Sequence, residues 1–153
     1  MRYFLLVCAL FLTASLEATK TGLPIPRFVS LRSAEVNVRV GPGLHYPLRW
    51  QLIKREPVEV IAEFNNWRKI RCQDGAEGWV HQSMLSGKRL GKIVKETTLR
   101  DGSFDKARSL AHVKPNVVVD LRKCKGKWCE IKIGKLKGWV PKHTIWGIYD
   151  YEE

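Results

Sequence analysis

A chain of 153 residues can hold one domain or two small barrels of roughly 60 residues each. Its 27 Lys and Arg against 15 Asp and Glu leave a net charge of +12. A field of that sign disfavours cationic partners and suits nucleic acid, anionic headgroups, acidic wall polymers or an acidic protein surface; it also suits plain solubility.

Arg2 precedes an apolar run from Tyr3 to Ala14, with small residues at Ala14, Ser15 and Ala18. This order predicts a secretory signal peptide over residues 1–18 and a periplasmic or secreted protein. The run ends at Glu17, short of the roughly 20 apolar residues a membrane-spanning helix needs, so no stable membrane span is expected. Cys8 is expected to leave with the leader. The leader holds one base, Arg2, and one acid, Glu17, so the mature chain keeps its charge. Export makes nucleic acid the least fitting anionic partner, and none is expected.

Beyond the leader the apolar pattern alternates, at Val36, Val38, Val40 and again at Val58, Val60, Ala62, Phe64. Period two predicts half-buried strands. Turn chemistry separates them at Gly41-Pro42-Gly43, Asn65-Asn66, Asp74-Gly75, Asp101-Gly102 and Lys125-Gly126-Lys127. Glu35, Arg39, Gly41, Trp67 and Ile70 recur 61 positions later as Glu96, Arg100, Gly102, Trp128 and Ile131, and Gly78-Trp79-Val80 returns as Gly138-Trp139-Val140. A repeat of this length predicts two copies of one unit. The expected fold is all-β: two tandem barrels of about five strands, over 27–86 and 92–149, joined by a linker at Gly87–Gly91. A closing strand is expected over Thr144–Tyr149.

The lead-in Gly22–Leu31, the run Asn37-Val38-Arg39-Val40-Gly41-Pro42-Gly43, then Tyr46-Pro47 and Trp50, complete a pattern with Glu63–Ile70 and Gly75–His81. This pattern resembles the bacterial SH3-like domains of exported proteins, in the tandem form that follows a signal peptide. The resemblance implies small β-barrels that target or bind wall components or envelope proteins, often beside wall hydrolases. No hydrolase domain is expected, because the two units and the lead-in account for nearly all the mature chain. The second unit departs from the pattern, with Asp101-Gly102-Ser103-Phe104 in the loop and no aromatic at the positions of Tyr46 and Trp50.

No catalytic residue is predicted. A Cys nucleophile needs a His base, yet Cys72 has no counterpart in the second unit, and His45, His81, His112 and His143 fall at unrelated places. No metal or cofactor is expected, since a structural zinc site wants four paired ligands. Cys124 and Cys129 flank a hairpin tip, where a disulfide is the simplest reading in an oxidising compartment, with a free pair or a metal site as alternatives. Tyr46, Trp50, Trp67, Arg39 and Trp128 are the candidate ligand-binding residues, by analogy with the aromatic grooves of related barrels. Trp79 and Trp139 are expected to fill the cores, and Trp67 and Trp128 either fill them or show a face to solvent. The bases from Arg122 to Lys142 form either a solvated face or an anionic docking patch. The function expected is a non-catalytic envelope module recognising peptidoglycan peptide or glycan, or an envelope protein; the alternative is a scaffold without wall affinity.

Overall fold

Valine at every second position of a short segment leaves one side of the chain in need of cover. In a computed structural model, which describes residues 21–153, Val36 and Val38 are fully buried while Glu35 and Asn37, which alternate with them, face solvent. The predicted signal peptide lies outside the described residues. The first sheet contains β1 (Arg27–Leu31), β2 (Glu35–Arg39), β3 (Leu48–Ile53), β4 (Pro57–Phe64), β5 (Trp67–Arg71), β6 (Glu77–His81) and β7 (Leu85–Ser86), in the order β3-β2-β6-β5-β4-β1-β7. The second contains β8 (Leu90–Ile93), β9 (Thr97–Arg100), β10 (Ser109–Val113), β11 (Val118–Lys125), β12 (Trp128–Ile133), β13 (Leu136–Pro141) and β14 (Ile145–Trp146), in the order β10-β9-β13-β12-β11-β8-β14. The second order is the first shifted by seven elements.

Each sheet therefore has seven strands where about five were expected. The additions are the lead-in strand, β1 or β8, and the two-residue strand that closes on it, β7 or β14. They escape a reading based on turn signals because they pair with each other across the length of a whole unit. The linker is also shorter, since Leu90 and Gly91 belong to β8 and Leu90 is buried. In place of a strand over Thr144–Tyr149, a 3-10 turn at Lys142–Thr144 leads into β14. Gly147 ends that strand at φ +116°, and a Cβ there would lie 2.7 Å from the Leu90 carbonyl oxygen.

The two cores are aliphatic. Val29, Leu31, Val36, Val38, Val58, Val60, Ile70, Cys72 and Val80 fill the first, and Ile93, Leu99, Val113, Val119, Cys129, Ile131, Val140 and Ile145 the second. Trp79 and Trp139 are not among them, which corrects the expectation. In β6 the alternation sends Gly78 and Val80 inward and Trp79 outward. A Cβ on Gly78 would lie 2.4 Å from Val38 Cγ1, and one on Gly138 would lie 2.4 Å from the Arg100 carbonyl oxygen. The Gly-Trp-Val triplet is thus a close-approach motif whose tryptophan lies outside.

The 61-residue offset holds at the level of single cross-strand pairs. Glu63 faces Arg68 across β4 and β5, while Cys124 faces Cys129 across β11 and β12. A buried ion pair of 3.4 Å in the first barrel therefore stands where a disulfide, with a Cα separation of 4.0 Å, stands in the second. Both devices fix the same hairpin. Replacing Cys124 and Cys129 together by Ser is expected to cost the second barrel about 2 kcal/mol, the value for so short a closed loop. Denaturant midpoints with and without reductant check this: reductant should shift the native protein and leave the double variant unmoved.

The barrels meet through the outer sides of β1 and β8 and the C-terminal segment. The Phe28 ring lies 5.0 Å from that of Trp146, edge to face, and 4.7 Å from that of Tyr149. The Tyr149 hydroxyl donates to Glu59 Oε1 at 2.8 Å, and Arg71 holds Glu59 Oε2 with two donors. Lys92 pairs with Glu56, and Asp120 accepts from Lys88 at 2.8 Å and from Arg55 at 3.4 Å.

Candidate ligand-binding face

Residues directly opposite in an antiparallel ladder point to the same side, so the register assembles the outer faces row by row. On the first barrel, one row is Phe64, Trp67 and His81, and the next is Ala62, Lys69, Trp79 and Arg39. A third is Glu59, Arg71 and Glu77. Trp67 and Trp79 are half-buried, and the Trp67 ring meets His81 edge-on at 5.5 Å. Charge is balanced here: Lys69 pairs with Glu77 at 3.0 Å and Arg71 with Glu59 at 2.8 Å. The Arg71–Glu59 hydrogen bond, with the carboxylate's charge, raises the guanidinium further above its ordinary value.

Arg39 belongs to this face through its pairing with Trp79, and it also braces the long loop by donating to the Tyr46 carbonyl at 2.9 Å. Arg100 donates to the Ala107 carbonyl at the same distance, 61 positions on. The Tyr46 ring covers Gly41, where a Cβ would lie 2.4 Å from it. Phe104 covers Gly102 in the same manner, so the second loop keeps a ring although the position of Tyr46 is Ala107. Trp50 is placed apart from the others. It lies opposite Val38 and packs on the first core. It also borders a cavity of about 240 Å³ shared with Leu52, Cys72 and, from the second barrel, Lys92, and the Arg49 guanidinium lies 5.5 Å from its ring centroid. The structure brings Trp67 and Arg39 onto one face with Trp79, puts Trp50 on the inner side of the sheet, and sets Trp128 on the second barrel.

On the second barrel the rows are Lys125, Trp128 and Pro141; Lys123, Glu130, Trp139 and Arg100; and Asp120, Lys132 and Lys137. The Lys123 ammonium sits 5.8 Å from the Trp139 ring centroid, within reach of cation–π attraction. Lys142, counted among the basic stretch, is buried instead: its Nζ donates to the carbonyls of Asp150 and Glu152. Trp79 and Trp139, expected in the cores, lie on the faces instead, and Lys123 of the basic stretch stands beside Trp139. The signal was available in the parity of Gly-Trp-Val, whose glycine and valine cannot share a side with the tryptophan.

Cys72 is buried, and its thiol is pushed up to about 11 by that burial and then by the charges of Asp74 and Glu56. Such a thiol is protonated at neutral pH and is a poor nucleophile. Among the described residues, no three His, Cys, Asp or Glu side chains gather as a metal would require, and no helix is long and apolar enough to cross a membrane.

The family model for the bacterial SH3 domain matches residues 32–87 and 94–147. A putative N-acetylmuramoyl-L-alanine amidase, YrvJ, of Bacillus subtilis (strain 168) is 28% identical over 109 residues, which cover 71% of this chain and 20% of that protein. The chain thus spans about a fifth of that relative's length. Among solved structures, NlpC2 from Trichomonas vaginalis aligns with a TM-score of 0.40 at 13% identity, over 84% of this chain and 50% of that one. An NlpC/P60 family protein from Bacillus cereus ATCC 10987 aligns with a TM-score of 0.37 at 13% identity, over 78% of this chain and 56% of that one. With both matched segments together spanning well over half of its length, this chain belongs to the bacterial SH3 domain family.

Proposed function

We propose that this protein is an exported, non-catalytic module that holds to the cell wall by binding peptidoglycan through the tryptophan faces of its barrels. The observation that carries this reading is the outward placement of Trp67, Trp79, Trp128 and Trp139 on barrels whose cores are already complete without them. A half-exposed indole beside cationic donors offers a flat apolar surface for a sugar ring or peptide plane, with hydrogen-bond donors at its edge. The signal-peptide pattern supports export, and the similarity to a protein described as a putative amidase of N-acetylmuramoyl-L-alanine supports a wall polymer as the partner. The unreactive Cys72 thiol supports binding without chemistry. Arg39 and Tyr46 border the first face through the loop they brace.

Co-sedimentation with purified sacculi tests this. The native protein is expected to pellet with the wall at low salt, and Trp67→Ala with Trp79→Ala to weaken retention on the order of tenfold, about 1.4 kcal/mol. A native protein that stays in the supernatant at low salt overturns the reading.

A further inference from the structure

The two barrels present the same outer face with different electrostatics, balanced on the first and cationic on the second, and the first serves as an internal reference for the second. At equivalent positions, 61 residues apart, Ala62 becomes Lys123, Phe64 becomes Lys125 and Lys69 becomes Glu130. In the first barrel Lys69 and Arg71 each have a carboxylate partner, and Arg39 is held by the Tyr46 carbonyl. In the second, the acids are already engaged. Glu130 pairs with Lys137 at 3.3 Å, and Asp120 is held by Lys88 and Arg55 from the direction of the first barrel. Lys123, Lys125 and Lys132 are exposed and make no ion pair among the described residues. They surround Trp128 and Trp139, both half-buried and set diagonally on neighbouring strands, about 7–8 Å apart at the backbone.

We propose that the outer face of β11, β12 and β13 docks an acidic glycan of the wall, its sugar rings lying on Trp128 and Trp139 and its carboxylates on Lys123, Lys125 and Lys132. This rests on the wall reading above and narrows the partner class at the second barrel. Charge complementarity selects an anionic occupant, because three cations without partners on one face attract one. The paired indoles select one with rings, since a flat ring stacks on each. A lipid bilayer fits less well: these tryptophans are half-buried among lysines, whereas interfacial insertion needs a continuous apolar face.

Binding of the full chain is measured against four probes: polygalacturonate, with charged rings; dextran, with rings alone; polyglutamate, with carboxylates alone; and phosphatidylglycerol vesicles. Polygalacturonate is expected to bind at least tenfold more tightly than polyglutamate at equal carboxylate concentration, and dextran only weakly. The triple variant K123A/K125A/K132A is expected to lose at least tenfold in polygalacturonate affinity. K54A/K95A/K114A, which removes the same charge from exposed lysines elsewhere, should change it less than twofold. All six side chains lie outside the cores, so both variants should keep the native fold. Equal losses in the two triples, equal binding of polyglutamate, or binding to vesicles without binding to polygalacturonate overturns the proposal. Sacculus retention is followed in parallel. Retention without polygalacturonate binding overturns this face alone, whereas loss of retention in the native protein overturns the wall reading itself.

Discussion

Phe28→Ala is expected to lower stability by about 3 kcal/mol and to uncouple the two barrels. Phe28 stands on the first barrel yet packs against Trp146 and Tyr149 of the second. Truncating a buried Phe leaves a cavity in addition to the lost burial, which places the cost at about 3–5 kcal/mol. The lower end applies because one side of this ring faces a boundary between units rather than a closed core. Each barrel has its own aliphatic cluster, so the loss falls on the coupling between them. Calorimetry of the native protein should show one transition, and that of the variant two, or one visibly broadened. Tyr149→Phe, which removes only the hydroxyl donated to Glu59, should cost about 1.5 kcal/mol, as for a hydrogen bond to a charged acceptor. Unchanged cooperativity in Phe28→Ala would show that the barrels do not depend on this contact.

Glu63→Gln is expected to destabilise the first barrel by about 3 kcal/mol at neutral pH, and the difference from the native protein should vanish in acid. The Glu63 and Arg68 side chains are 2% and 3% exposed, and removing one partner of a buried pair leaves the other charge uncompensated. Burial pushes the Glu63 carboxyl up, but hydrogen bonds from Thr21 and Arg27, with the charge of Arg68, outweigh it and hold the group below its ordinary value of 4.5. A carboxyl depressed in the fold contributes stability that is complete above its unfolded value and lost as pH falls through its folded one. Two other carboxyls carry the same sign. The Lys88 hydrogen bond lowers Asp120 against burial, with help from Arg55. Burial raises Glu152, but Arg89 and the Tyr149 amide more than offset it. Acid should therefore loosen the interface and the C-terminal segment as well. Urea titrations of both proteins from pH 7 to pH 3 check this, and a gap that persists below the folded value would contradict it. The second barrel meets the same mechanical need with a disulfide, so it should respond to reductant where the first responds to acid.

The likeness of the two barrels was legible in the chain alone, because a repeat that keeps a 61-residue offset from Glu35 to Ile70 and slips by one residue before Gly-Trp-Val requires both copies to fold alike. Arg39 and Arg100 make the point: their spacing is visible as letters, and their identical bonds to loop carbonyls follow from it. The alternating valines likewise announced the aliphatic cores. The tryptophans were harder to read. A large aromatic in a small domain suggests a core, and only the inward turn of Gly78 and Val80 shows that Trp79 points away from it.

What local pattern could establish was therefore the β class, the duplication, the hairpin that carries Cys124 and Cys129, and the excess of positive charge, since each depends on neighbours close in the chain or on composition. Pairings between distant residues lay beyond it. The seventh strand of each sheet joins segments over 50 residues apart. The interface sets Glu59 beside Tyr149, 90 positions away. Whether a lysine finds an acid is also settled by folding. Lys69 and Lys137 do so across strands, whereas Lys123, Lys125 and Lys132 remain open beside Trp128 and Trp139, because ion pairing depends on register and distance rather than on how many charges a segment holds.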